Sequence, residues 1–138
     1  MDHAATMRKT YERINAGDIE GFGDLVADGF VEHQGVGLPP TKEGTLVFFR
    51  TLLDAFPDMR MNVEDLIAGG DKTVARVKLT GTHKGEFMGV PPTGAQVDVQ
   101  FIDIMRFDGG GLVSDHWGVA DMLSLMQQLG VVPAGPPA

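Results

Sequence analysis

The stretch VDVQFIDIMRFDGGGLVSDHWGVAD, Val97–Asp121, decides the reading of this chain. Two β-like runs, Val97–Phe107 and Leu112–Val119, flank Asp108-Gly109-Gly110-Gly111, a turn-forming quartet. The second run carries Asp115-His116-Trp117 and ends at Asp121, where an apolar-periodic helix begins. An acid, an imidazole, the only Trp and a second acid thus fall within seven residues, in a chain with four His and no Cys.

Working outward, the same alternation recurs upstream. Met59–Ile67 and Lys72–His83 read as a strand pair joined by Ala68-Gly69-Gly70-Asp71. In the second of these, Val74, Arg76, Lys78 and Thr80 alternate with Ala75, Val77 and Leu79, which predicts one buried face. Gly85–Ala95 is a loop containing Pro91-Pro92-Thr93-Gly94. Nearer the start, Met7, Tyr11 and Ile14 recur at helical spacing, and that helix ends at Gly17. Asp18 caps a short second helix carrying Phe22, Leu25 and Val26. Gly29–His33 is a short strand, followed by a Gly/Pro loop, Gly35–Pro40. Thr41 caps a helix with Leu46, Phe49, Leu53 and Phe56 on one face, stopped by Pro57. A last helix runs from about Met122 to Leu129 and stops at Gly130. Val131–Ala138 holds three Pro and reads as loose chain. Helices first, then antiparallel strands with short turns, then a helix indicate an α+β fold. One domain is expected over residues 1–133, with a flexible tail at 134–138.

Composition narrows the function. At 138 residues the chain suits one domain that buries roughly two-thirds of its unfolded surface. A net charge of −8 argues against nucleic acid and against anionic membranes. The absence of Cys removes thiol nucleophiles, disulfides and Cys-ligated zinc. The dispersed His form no helical pair at metal-ligand spacing, so no metal is expected. No basic-then-apolar leader is visible at Met1-Asp2-His3-Ala4, and no apolar run approaches the ~20 residues of a membrane span. The expected location is cytoplasmic.

A set of fragments carries a family resemblance when taken in order: Val31-Glu32-His33, Ala55-Phe56-Pro57-Asp58, Val63–Ile67, Gly81–Phe87, Pro91–Gly94, Ile102-Asp103-Ile104 and Asp115–Asp121. On these, the chain resembles the SnoaL-like polyketide cyclases of the nuclear-transport-factor-2-like superfamily, over roughly residues 5–133. The resemblance implies a curved antiparallel sheet wrapped around the N-terminal helices, a cone-shaped barrel with a central pocket. It implies a homodimer formed through the outer face of the sheet. It implies cofactor-free chemistry, in which a pocket aspartate acts as general acid/base in the intramolecular aldol closure of a polyketide ester. Asp121 matches that aspartate.

Each candidate has a plainer role beside the chemical one. Asp121 precedes a helix and can simply cap it. As an acid/base it would need an apolar setting that raises its pKa. Trp117, Val119 and Asp121 share a face if the strand is regular. That places Trp117 in the pocket, as core or as a wall that stacks on a flat ligand. His116 then lies on the outer face, as an interface residue or a support behind the site. Asp103 sits mid-strand on a face with Phe101, Met105 and Phe107, where a charge must be paired or functional. It lines a pocket, or it pairs with Arg76 or Lys78. His33 is a pocket-rim residue or a solvated loop His; His83 is structural. Met105 and Phe49 complete the expected apolar lining around a small apolar or aromatic, carbonyl-containing ligand. Three functions stay open: a polyketide-cyclase-type enzyme, an isomerase or hydratase/hydrolase on the same cone, and a noncatalytic binder of small apolar ligands.

Overall fold

A computed structural model describes residues 2–135. Four helices and five strands follow in the order α1 (His3–Asn15), α2 (Ile19–Gly23), β1 (Val26–Glu32), α3 (Lys42–Ala55), β2 (Arg60–Gly69), β3 (Lys72–Thr82), β4 (Gln96–Phe107), β5 (Val113–Ala120) and α4 (Met122–Gln128). Each helix starts where a side chain can satisfy an otherwise orphaned backbone N–H. Asp2, Asp18, Thr41 and Asp121 accept from Ala5, Gly21, Gly44 and Ser124. The sharp β2–β3 turn uses Gly70 at φ +61°, a conformation that favours a residue without a Cβ.

The strands form one open, mixed sheet in the order β1-β5-β4-β3-β2. The pairs β2–β3, β3–β4 and β4–β5 are antiparallel; short turns join β2 to β3 and β4 to β5, and the longer 83–95 loop joins β3 to β4. β1 joins the far edge parallel to β5, with Val31 opposite Asp115 and Glu32 opposite His116. Three of the four pairings are thus antiparallel, and β1–β5 is the parallel exception. The long excursion from β1 to β5 through three strands and a helix permits either direction.

The core fills the concave side. Met7, Tyr11 and Ile14 of α1 are buried together with Ala75 and Val77 of β3, Val97, Val99, Met105 and Phe107 of β4, and Val113 of β5. Phe22 and Phe49 meet edge to face, their ring centroids 5.1 Å apart, and tie α2 to α3. His83 is fully buried and closes the 83–95 loop: Thr93 N–H donates to its Nδ1, and its backbone pairs with Gly94 and Ala95. No helix among the described residues is long and apolar enough to cross a membrane. The tail expected at 134–138 extends past residue 135, outside the described residues.

Candidate functional site

One irregularity sets the site. Between β4 and β5, Phe107 pairs with Val113 but Arg106 pairs with Asp115, so Ser114 is an extra residue on β5. Such a bulge re-aims every side chain that follows it. Val113 faces the core, yet His116 also faces inward, opposite Met105, and Asp115 and Trp117 face outward, opposite Arg106 and Ile104. Strict alternation from Val113 gives the opposite result. The expected facing of His116 and Trp117 is therefore corrected: the imidazole lies inside the sheet and the indole outside.

Turned inward, His116 joins a cluster drawn from four elements. Its Nε2 lies 2.7 Å from Asp103 Oδ1 on β4, and its Nδ1 lies 2.6 Å from Glu32 Oε1 at the end of β1. The second Asp103 oxygen accepts from the Tyr11 hydroxyl of α1 at 2.6 Å. The Glu32 oxygen also accepts from the Gln34 backbone N–H at 3.0 Å. Only 15% of the His116 side chain is exposed, and no Lys or Arg joins the cluster among the described residues. An imidazole placed between two carboxylates is held as imidazolium with both N–H groups donating. Burial alone would lower its pKa. Its hydrogen bonds to Asp103 and Glu32, which accept, and the charges of those carboxylates outweigh burial and push it up to about 10. Tyr11 is driven the other way in function, to a firmly neutral phenol. Burial comes first, then the charge of Asp103 and the hydrogen bond to it, and all raise its pKa. Asp103 thus pairs with neither Arg76 nor Lys78; Lys78 bridges Asp98 at 3.1 Å instead.

A second cluster occupies the outer face of the same two strands. Arg106 reaches Asp115 Oδ1 through Nε at 2.9 Å and through its terminal nitrogen at 2.8 Å, and the Ser114 hydroxyl donates to that oxygen. His33 Nε2 lies 2.9 Å from Asp115 Oδ2, and its ring stacks flat on Trp117 at 4.5 Å. Arg106 stands over the indole at 5.8 Å. Burial raises the pKa of Asp115, but hydrogen bonds from His33, Ser114 and Arg106, and the Arg106 charge, bring it below the usual carboxylate range.

The remaining candidates separate. Met105 is buried beside His116, whereas Phe49 packs against Phe22 and Phe48, in α2 and α3. Asp121 is exposed, and its carboxylate caps α4 through the Ser124 N–H at 3.1 Å. Open surface hollows lie at His3, Asp71 and Phe107 and at Asp18, Arg50 and Asp54, and neither touches the inner cluster. No three His, Asp or Glu side chains among the described residues group so as to hold a metal ion.

Sequence reasoning missed Tyr11 and Glu32 as members of the site. Tyr11 carried a signal: a phenol on a core-facing helix position needs a buried partner for its hydroxyl, and Asp103 was the unpaired acid.

The SnoaL-like polyketide cyclase family model matches residues 5–129. Among solved structures the chain is similar to AclR, a proposed hydroxylase from Streptomyces galilaeus, at 30% identity, covering 98% of this chain and 85% of that one, with a TM-score of 0.88. It is similar to IdmH, a proposed polyketide cyclase from Streptomyces antibioticus, at 32% identity over 94% and 99%, with a TM-score of 0.82. TsrD from Streptomyces laurentii follows at 26% identity over 93% and 97%, with a TM-score of 0.84. No match was found among curated protein sequences. Sequence fragments, mixed curved sheet and match together place this chain in the SnoaL-like polyketide cyclase family.

Proposed function

We propose that this protein is a cofactor-free cyclase-type enzyme that moves a proton next to a carbonyl, with Asp103 as acid/base and His116 as the fixed positive charge beside it. The supporting observation is the buried, hydrogen-bonded contact of Asp103 with an imidazolium that a second carboxylate, Glu32, holds in place. A carboxylate beside a permanent cation suits an aldol closure. Asp103 takes the proton from the carbon between two carbonyls. The enolate formed carries its charge near His116, where an oriented cation in a water-poor site stabilises it most. The enolate carbon attacks the ketone within the same molecule, a C–C bond forms, and the resulting alkoxide recovers the proton from Asp103. The product is an isomer of the substrate, and both residues end as they began. Tyr11 and Glu32 position the pair. The match of residues 5–129 to the polyketide cyclase family model and the 32% identity with IdmH, a proposed polyketide cyclase, support this reading.

The test is incubation with an aromatic polyketide methyl ester bearing one unclosed β-keto chain. Ring closure appears as a mass-neutral chromatographic shift. Closure by the wild type that falls about 10²–10⁴-fold in Asp103→Asn supports the reading, that being the usual worth of a general base. Equal rates in the two proteins overturn it.

We further propose that the outer sheet face closes against a second copy of the chain. Val31, Ile67, Ile102 and Val119 stand exposed there, and an apolar sheet face left in water calls for cover.

A further inference from the structure

Gly118 lies opposite Asp103 on the inner face. A Cβ at this position would come within 2.5 Å of Gln34 Oε1, 2.8 Å of His116 Cε1 and 3.0 Å of Asp103 Oδ1. All three lie closer than real Cβ contacts tolerate or at that limit. The bare backbone of residue 118 is therefore what lets the Gln34 carboxamide descend onto the Asp103–His116 pair. Gln34 is directed there by its neighbours. Glu32 faces inward, His33 outward to Asp115 and Trp117, and Gln34 inward again. Its backbone N–H is anchored on Glu32 Oε1 at 3.0 Å.

The carboxamide itself makes no hydrogen bond among the described residues, and its polar atoms are not among the buried unpartnered ones. It is thus a free, solvent-reachable amide held against an acid/base pair. Every other polar group of the cluster is committed. Tyr11 and one ring nitrogen of His116 face Asp103, and the other ring nitrogen faces Glu32. The cluster bears two carboxylates and one imidazolium, so an incoming oxygen meets net negative charge. A neutral amide that can present either its NH2 or its oxygen is suited to receive that oxygen.

We propose that Gln34 is a substrate-contacting residue, whose amide donates to the carbonyl oxygen of the substrate as it becomes an enolate, in space that Gly118 keeps open. This rests on the acid/base reading of Asp103. It narrows the ligand to one presenting a hydroxyl or carbonyl oxygen, rather than a carboxylate, to the inner face.

2-Naphthol, an aromatic enol, and naphthalene, which lacks the hydroxyl, test it as a pair. Binding is followed by fluorescence at about pH 6, where a phenol stays protonated. Gln34→Leu keeps the size of the side chain and removes its hydrogen bonding. The expected result is a loss of about 5- to 10-fold for 2-naphthol, the worth of one hydrogen bond, and no change for naphthalene. Gly118→Ala displaces the amide and should give the same selective loss. Equal weakening of both compounds by Gln34→Leu makes the residue packing only and overturns the proposal. Unchanged 2-naphthol binding in Gln34→Leu, with a loss in Asp103→Asn, overturns Gln34 and leaves the acid/base reading standing. A loss in neither variant, or a wild type that binds neither compound, overturns the Gln34 contact, and the acid/base reading is then judged by the ring-closure rate of Asp103→Asn.

Discussion

Strands β4 and β5 carry two His–carboxylate clusters back to back, and they differ in where the positive charge comes from. On the outer face two Arg106 nitrogens converge on Asp115 Oδ1, so the carboxylate has a permanent cation and His33 is an additional partner at Oδ2. On the inner face no Arg or Lys is present among the described residues. Asp103 and Glu32 have only His116 between them. The same residue types, one layer of backbone apart, thus take opposite assignments. Outside, the imidazole decorates an ion pair that is already complete. Inside, it must itself be the ion, because two buried carboxylates without a cation carry a large desolvation cost. The proposed acid/base chemistry rests on this second arrangement, a cation fixed beside a base.

The largest expected effect breaks the symmetry of the two faces. Asp103→Asn should lower ring closure about 10²–10⁴-fold, since an amide cannot take the α-proton. Arg106→Gln disturbs an ion pair of comparable geometry on the outer face and should leave closure within a few-fold. Steady-state rates of the two purified variants settle the matter. A larger loss in Arg106→Gln than in Asp103→Asn would move the chemistry to the outer face.

The two clusters should also fail at opposite ends of the pH scale. The His116 pKa is raised from 6.5 to about 10, so folding tightens its hold on the proton. Its stabilisation is complete below pH 6.5 and is lost as pH rises towards about 10. The Asp115 pKa is lowered from 3.8, so its contribution is present above that value and is lost as pH falls below it. Thermal melts should show Asp103→Asn flattening the alkaline decline and Arg106→Gln flattening the acid one. Parallel pH profiles in the two variants would refute the separation.

The sequence revealed these elements unequally. Helix starts were legible because Asp18, Thr41 and Asp121 are capping residues in front of apolar-periodic runs. The hairpins were legible from alternation and Gly-rich turns. The parallel pairing of β1 with β5 was not, because nothing local to either strand encodes a partner more than eighty residues away. Faces were the hardest part. Alternation fixes which residues share a face but not which face is inside, and the single extra residue Ser114 inverts the answer after it. Asp103 and Met105 needed no such step, and their inward facing was readable in β4 alone. Glu32 gave no sign of its place, since a charged residue at a strand end is ordinarily solvated.

The exposed apolar residues of the outer face sharpen the comparison in another way. If this face is the contact between two copies, Val119→Asp puts a charge into that apolar contact on both copies and should weaken the dimer by roughly 10- to 100-fold. Light scattering across a dilution series reads the change. A wild-type monomer at micromolar concentration would remove the basis for the contact.

The smallest expected effect falls on Asp121, which the family resemblance singles out as the acid/base. Its carboxylate is exposed and is engaged with the Ser124 N–H at the start of α4. Asn caps a helix about as well as Asp, and the lost charge near the helix N-terminus costs a few tenths to ~1 kcal/mol. Asp121→Asn should therefore melt within a few degrees of the wild type. With the proton chemistry at Asp103, it should also close the ring at nearly the wild-type rate. Asp121→Ala should lose about 1 kcal/mol of stability through the cap, again with little change in rate. A drop of 10²-fold or more in Asp121→Asn, with the melting temperature unchanged, would return the acid/base role to the β5–α4 corner. It would leave Asp103 and His116 as a buried structural pair. Measuring Asp103→Asn and Asp121→Asn side by side, on one substrate and in one buffer, separates a carboxylate that moves protons from one that caps the start of a helix.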